Sequence, residues 1–214
     1  MSIILLPIDS VPYSALMREV IPYVPMAPEF DIEYRLKLAA RDFCRGSLAW
    51  RQQDTELLTT NAAQAVYEAE LDAGREIAAV ISAWAGGSEV EVELPGERDD
   101  VSPGDTSSAW RIGVEPDLNS LRLSPAPSVG GVVVTGTIAF APNEESTSLP
   151  EFIWRRWRNV IAAGAISALK AQANKPWSDP AGALAAGGAF SSGIQEASNR
   201  TGPVRRRPLR VTPA

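Results

Sequence analysis

SLPEFIWRRWRNVIAAGAISAL, residues 148–169, is the stretch on which the fold turns. Upstream of it apolar residues recur at every second position, and inside it they recur every three to four, so strand patterning gives way to helix at this point. Ser148, Leu149, Pro150 and Glu151 form a capping box with proline in the first turn, which predicts a helix start. Ile153, Trp157, Val160, Ile161, Gly164, Ala168 and Leu169 mark its apolar face. Ala162, Ala163, Gly164 and Ala165 lack bulk, which predicts the close approach of another helix.

Working back from this stretch, Val132, Val134, Gly136, Ile138 and Phe140 alternate with Val133, Thr135, Thr137 and Ala139, a long strand in which Gly136 marks a bulge or a close backbone approach. Trp110, Ile112 and Val114, then Leu121 and Leu123 after the turn residues 115–119, predict a hairpin. Residues 89–94 alternate glutamate with valine or leucine, the pattern of a half-buried strand. Shorter signals near Leu57, 66–71 and 76–84 bring the expectation to five to seven antiparallel strands in a sandwich or barrel-like sheet. Before Arg51 the helical period returns: Ile32, Leu36, Ala39, Phe43, Ser47 and Trp50 share a face over about Asp31 to Trp50. A shorter helix carries Tyr13, Leu16 and Val20, with Ser10 as cap and Pro12 in its first turn, and Pro22 and Pro25 end it.

Working forward, residues 174–177 break the helix, and Ser178 or Asp179 caps another that opens at Pro180. Ala183, Gly187, Phe190, Ile194 and Ala197 line one side of it. Each of its glycines costs about 1 kcal/mol against alanine, so this helix needs a packed partner. From Thr201 onward periodicity is absent and prolines recur. The expected fold class is therefore α+β: a helical bundle from the N- and C-terminal helices, an inserted antiparallel β-sandwich or barrel-like domain, and an extended C-terminal tail. The expected divisions are 1–50 (N-terminal helical part), 51–147 (inserted β domain), 148–200 (C-terminal helical hairpin) and 201–214 (extended basic tail).

Composition narrows the function. The 214 residues include 45% hydrophobic and 21% charged residues, and no apolar run approaches the roughly 20 residues that a membrane span needs. Ile3, Ile4, Leu5 and Leu6 make the first residues apolar, but with neither a basic flank nor a small-residue cleavage site, a signal peptide is not expected. Histidine is absent, which removes the commonest general base and metal ligand. Cys44, the only cysteine, falls within a helical apolar pattern and is expected to be a small buried hydrophobe. Ser167 and Lys170 match a serine-x-x-lysine spacing without the motifs that accompany it in acyl enzymes, and a solvated helix face explains them better. The adjacent pairs Asp99–Asp100 and Glu144–Glu145 suit exposed loops. No cofactor, no metal site and no catalytic residue is expected.

Charge is divided. Arg200, Arg205, Arg206, Arg207 and Arg210 place five positive charges in the last fifteen residues; setting these aside from the overall −6 leaves −11 on the rest. An acidic body of this kind repels nucleic-acid phosphates. In the tail, Val204, Leu209 and Val211 sit among the arginines, and a purely electrostatic tail has no use for them; Val204, Arg205, Arg206, Arg207, Leu209, Arg210 and Val211 are therefore expected to dock on a protein groove. Trp154, Arg155, Arg156, Trp157 and Arg158 put arginines at the positive end of a helix, which needs compensation by carboxylates or another chain. Tryptophan and arginine dominate protein interfaces, so a subunit contact is expected there.

Residues 39–50, AARDFCRGSLAW, resemble the N-terminal helix of head-to-tail adaptor proteins of tailed bacteriophages. Residues 161–169 with 175–180, KPWSDP, are similar to the C-terminal helical hairpin of that family. The likeness spans about residues 10–200, and its strand-rich middle is matched by pattern only. It implies a structural virion protein of the neck, made in the host cytoplasm and assembled as a homo-oligomeric ring, commonly a dodecamer, between the portal protein and a tail nozzle or tail tube protein. It further implies that the tail enters clefts of the portal, and that the bore passes viral DNA without binding it specifically. A tail nozzle, a head-completion protein and a nucleic-acid-binding accessory protein stay as alternatives.

Overall fold

The structure, a computed structural model, describes residues 9–69, 71–93 and 110–202. The element order is β1 (Ser10–Pro12), α1 (Tyr13–Met17), a 3-10 turn (Ile21–Tyr23), α2 (Glu29–Ser47), β2 (Arg51–Thr59), β3 (Val66–Glu68), β4 (Arg75–Ala85), β5 (Ser88–Val92), β6 (Arg111–Val114), β7 (Ser120–Ser124), β8 (Val133–Pro142), β9 (Ser148–Pro150), α3 (Glu151–Lys170) and α4 (Pro180–Thr201). This is a mixed α+β fold. Strands β2 to β8 form one curled seven-stranded sheet in the order β2-β8-β4-β5-β6-β7-β3, and β1 pairs with β9 in a separate ribbon. The expectation of antiparallel strands is corrected at one place, since β5 and β6 run parallel, Glu91 beside Arg111 and Val92 beside Ile112. Alternation of side chains carries no information about strand direction, so the sequence pattern could not distinguish the two.

Helix boundaries follow local chemistry. At Leu48 the backbone turns left-handed (φ 50°) and its N–H bonds back to the Cys44 carbonyl, so α2 stops before Trp50. Ser10 belongs to β1 and Ser148 to β9, and each pairs across the ribbon instead of capping a helix. The prolines that follow take the N-terminal boundary of α1 and α3 without a side-chain cap. Asp179, by contrast, caps α4 as its position suggests, accepting from the Gly182 N–H at 2.9 Å.

Helices α2, α3 and α4 pack on one another, and α2 also lies on β8 and β4. Phe43 of α2 meets Trp157 of α3 with ring centroids 5.5 Å apart, and Trp50 meets Phe140 of β8 at 6.0 Å. Small residues set the helix spacing: a Cβ on Gly164 would press to 2.9 Å from Phe190, and one on Gly46 to 2.9 Å from Ile194. Gly136 of β8 is a close approach of the same kind, because a Cβ there would collide with the Ser82 carbonyl and meet Leu57 at 2.9 Å. One buried charge joins the two layers. Glu76 of β4, 3% exposed, takes Arg41 in a fork (3.0 and 2.9 Å) and Arg45 at 2.7 Å. The hydrogen bond to Glu76 raises the pKa of Arg41 further, so this arginine keeps its charge.

Candidate interaction surface

The last carbonyls of a helix have no partner within it, and α4 must find partners elsewhere. Arg51, the first residue of β2, supplies them: its guanidinium donates to the Thr201 carbonyl at 2.6 Å and the Gly202 carbonyl at 3.1 Å, while its Nε donates to the Leu48 carbonyl at 2.7 Å. Burial of this side chain lowers its pKa. The Thr201 hydroxyl donates to the Ser47 carbonyl at 3.1 Å, tying the same point to the end of α2. Helix α4 thus runs one residue into the expected tail before it is clamped. The tail residues Val204, Arg205, Arg206, Arg207, Leu209, Arg210 and Val211 lie outside the described residues.

The tryptophan–arginine cluster opens α3 at the same end of the molecule, for Arg200 lies 5.8 Å from the Trp157 ring. Trp157 itself is 7% exposed and belongs to the chain's own core, with Arg156 stacked on its outer face at 5.5 Å. Trp154 is half-buried between Arg18 (5.4 Å) and Arg158 (5.3 Å), and its indole N–H is buried with no acceptor among the described residues. The compensation that these arginines need comes from within the chain: Glu151 pairs with Arg155 at 2.6 Å, and Glu19 lies 3.9 Å from Arg158. What α3 offers to another molecule is therefore its exposed stripe of Phe152, Arg155, Arg156 and Asn159.

That stripe leads into a groove of about 410 Å³. Ala162, Ala163 and Ile166 of α3 form its floor, Tyr23 of the 3-10 turn one wall, and Ala185 and Ala186 of α4 the other. Glu19 and Asn159 stand at one end and Lys170 at the other. Nearby, Tyr23, Met26, Phe30 and Tyr34 are all more than half exposed, in the segment leading into α2 and along its first turns. No protein-family model and no curated protein matches the chain.

The residues considered for chemistry have structural partners. The Ser167 hydroxyl donates to the Ala183 carbonyl at 2.8 Å, and Lys170 pairs with Asp179 at 2.9 Å; both join α3 to α4, where a solvated face was expected. Cys44 is fully buried, and burial pushes its thiol pKa up, away from the reactive thiolate. Glu144 is 88% exposed and reaches Arg41 at 3.8 Å; Asp99 and Asp100 lie outside the described residues. Among the described residues no group of acidic or sulfur side chains is arranged to hold a metal ion, and no helix is long and apolar enough to cross a membrane. The sequence reading missed Glu76, Arg51 and Glu19. Glu76 had a local signal, a carboxylate that follows Arg75 at the start of a strand whose remaining residues are apolar or small; Arg51 had none for its hold on α4, because Thr201 lies 150 residues away.

Proposed function

We propose that the chain is a head-to-tail adaptor of a tailed bacteriophage: a virion protein that forms a ring beneath the portal and carries no catalytic activity. In this reading α2, α3 and α4 are the helical bundle of the adaptor and the curled sheet is its inserted domain, the barrel-like of the two shapes considered. The observation that carries it is the root of the tail. Thr201 and Gly202 are held by Arg51 and Ser47. A segment of four arginines among Val204, Leu209 and Val211 follows directly. A fixed root followed by a basic and apolar peptide suits insertion into an acidic protein cleft, because less conformational entropy is lost when the anchor is already ordered. The exposed Tyr23, Met26, Phe30 and Tyr34 supply apolar area for neighbouring subunits in the ring, as patches of this type do in assemblies.

The test is deletion of residues 203–214, which spares the clamped end of α4. The full chain mixed with portal rings should give adaptor–portal complexes visible by electron microscopy, and the truncated chain should remain free. Equal binding by both would remove the docking role. Filter binding to duplex DNA at low and moderate salt separates the nucleic-acid-binding alternative, which requires tight and strongly salt-dependent retention of the isolated protein.

A further inference from the structure

Two exposed surfaces of the helical layer set opposite charges among aromatic rings. At the start of α2, Phe30 is 76% and Tyr34 54% exposed. Glu29 and Glu33 stand on the same turns, exposed and without an ion pair among the described residues. The cations nearby are engaged: Arg35 lies 3.8 Å from Asp31, and Lys37 donates to the Glu144 carbonyl at 3.1 Å. At the start of α3, Phe152 is 46% exposed and stands beside the exposed Arg155 and Arg156. Arg156 has no carboxylate partner among the described residues. Arg155 pairs with Glu151 at the surface, where such a pair is weak and exchanges readily for another carboxylate.

These surfaces lie at opposite ends and on opposite sides of the α2–α3 pair. The two helices are antiparallel, since Asp31 accepts from Gln172, just past the end of α3, at 3.3 Å, while Phe43 meets Trp157 near its beginning. The rise from Phe30 to Phe43 and from Trp157 back to Phe152 separates the two surfaces by about 27 Å along the helix axes. By the helical period, Phe30 and Tyr34 lie on the side of α2 away from Ala39 and Phe43, which meet α3. Phe152 and Arg155 are likewise turned away from Trp157 and Gly164, which meet α2. One chain therefore cannot close them on each other.

We infer that copies of this chain associate head to tail, the start of α2 of one copy docking on the start of α3 of the next. A second copy is the occupant that satisfies both surfaces at once. Glu29 and Glu33 meet Arg155 and Arg156, and the guanidinium groups find the rings of Phe30 and Tyr34 to stack on. Because the surfaces are on opposite sides, each added copy leaves one of each kind free, so the contact repeats and closes where its rotation permits. This rests on the ring reading and names the faces through which neighbours meet.

Sedimentation velocity of the full chain over a concentration series at low salt tests it. The parent chain should associate as concentration rises and dissociate as salt is added. Glu29→Arg with Glu33→Arg, and separately Arg155→Glu with Arg156→Glu, should each weaken association by about tenfold or more, since like charges then face each other. Each variant keeps one untouched surface, so mixing the two in equal amounts should restore complexes, which also shows that both fold. A parent chain that stays monomeric throughout would overturn the inference. So would a reversal that weakens association on one surface only, or a mixture that restores nothing. Portal binding by a chain that does not self-associate would leave the adaptor role standing and sink this inference, and self-association without portal binding would do the reverse.

Discussion

Helices α3 and α4 are nearly equal in length, 20 and 22 residues, and lie against each other, yet different forces hold them. Ile153, Trp157, Ile161, Ala165 and Leu169 of α3 are buried in the core that α2 also lines. In α4 only Ala183, Gly193 and Ala197 are buried, and Leu184 is 81% exposed. What holds α4 is close approach at glycines and polar contacts at its two ends: the Asp179 cap with Lys170, and the Arg51 clamp. Burial of large apolar side chains stabilises in proportion to area and tolerates small shifts. Docking through small residues and end contacts contributes less and fails steeply when volume is added or one end is lost. The helix that carries the tail is thus the one most easily detached from the scaffold.

The scaffold side of this contrast is tested most severely at Glu76. Glu76→Ala leaves Arg41 and Arg45 without their buried carboxylate, and breaking such a hub costs about 3 kcal/mol. Urea denaturation should show that loss. A change below about 1 kcal/mol would mean that the hub behaves as a surface pair, and that α2 and the sheet are joined by apolar packing alone. At the tail end of α4, Arg51→Ala removes charged donors from three carbonyls, those of Thr201 and Gly202 and that of Leu48 after α2, a loss of about 2 kcal/mol that should stay local. Hydrogen exchange in residues 198–202 should then accelerate while β4 amides keep their protection. Uniform acceleration would show α4 to be part of the scaffold.

A pair of glycine substitutions in α4 sharpens the contrast through its sign. A Cβ at Gly193 would sit inside van der Waals contact of Val160, whereas one at Gly188 meets nothing within 4 Å. Alanine gains about 1 kcal/mol of helix propensity at both positions. At Gly193 this is outweighed by an overpacking penalty of roughly 1–3 kcal/mol. Thermal unfolding should therefore show Gly188→Ala stabilised and Gly193→Ala destabilised, with Val160→Ala relieving the second. Equal stabilisation at both sites would mean that α4 is not set by close approach to α3.

Much of this contrast was legible in the sequence. The three- and four-residue spacing of Ile32, Leu36, Ala39 and Phe43 identified the buried face of α2, and the small residues 162–165 announced the helix crossing, because both are local patterns with one physical reading. The helix starts near Tyr13 and Glu151 were placed to within about three residues for the wrong reason. A serine ahead of a proline suits a cap, but in β1 and β9 the serine backbone is taken up by the ribbon. Long-range partners were not legible. Nothing near Arg51 announces Thr201, and nothing near Trp154 announces Arg18, since such pairs exist only once the chain has folded. The expected interface cluster was divided for the same reason: Trp157 entered the core, while Arg155 and Arg156 remained exposed. The tail residues Val204 to Val211 lie outside the described residues, so their role rests on sequence chemistry and on the clamp at their root.

The smallest expected effect concerns the other end of α4. The Asp179 carboxylate accepts from the Gly182 N–H at 2.9 Å and from Lys170 at 2.9 Å, and these hydrogen bonds hold its pKa below the ordinary value. A carboxyl with a depressed pKa in the folded state stabilises fully above its unfolded value, about 3.9 for aspartate, and that contribution fades as pH falls through the lower folded value. The start of α4 should therefore loosen only in acid, below the range in which a free aspartate titrates. The Gly182 amide resonance followed through an acid titration reports this directly. Asp179→Asn retains an acceptor for the cap but abolishes the charge, so its Gly182 resonance should lose that transition while α4 still begins at Pro180. A transition at or above the ordinary aspartate value in the parent protein would show that the cap and the lysine pair do not hold in solution. The N-terminal attachment of α4 would then rest on the Ser167–Ala183 hydrogen bond and the shallow burial of Ala183.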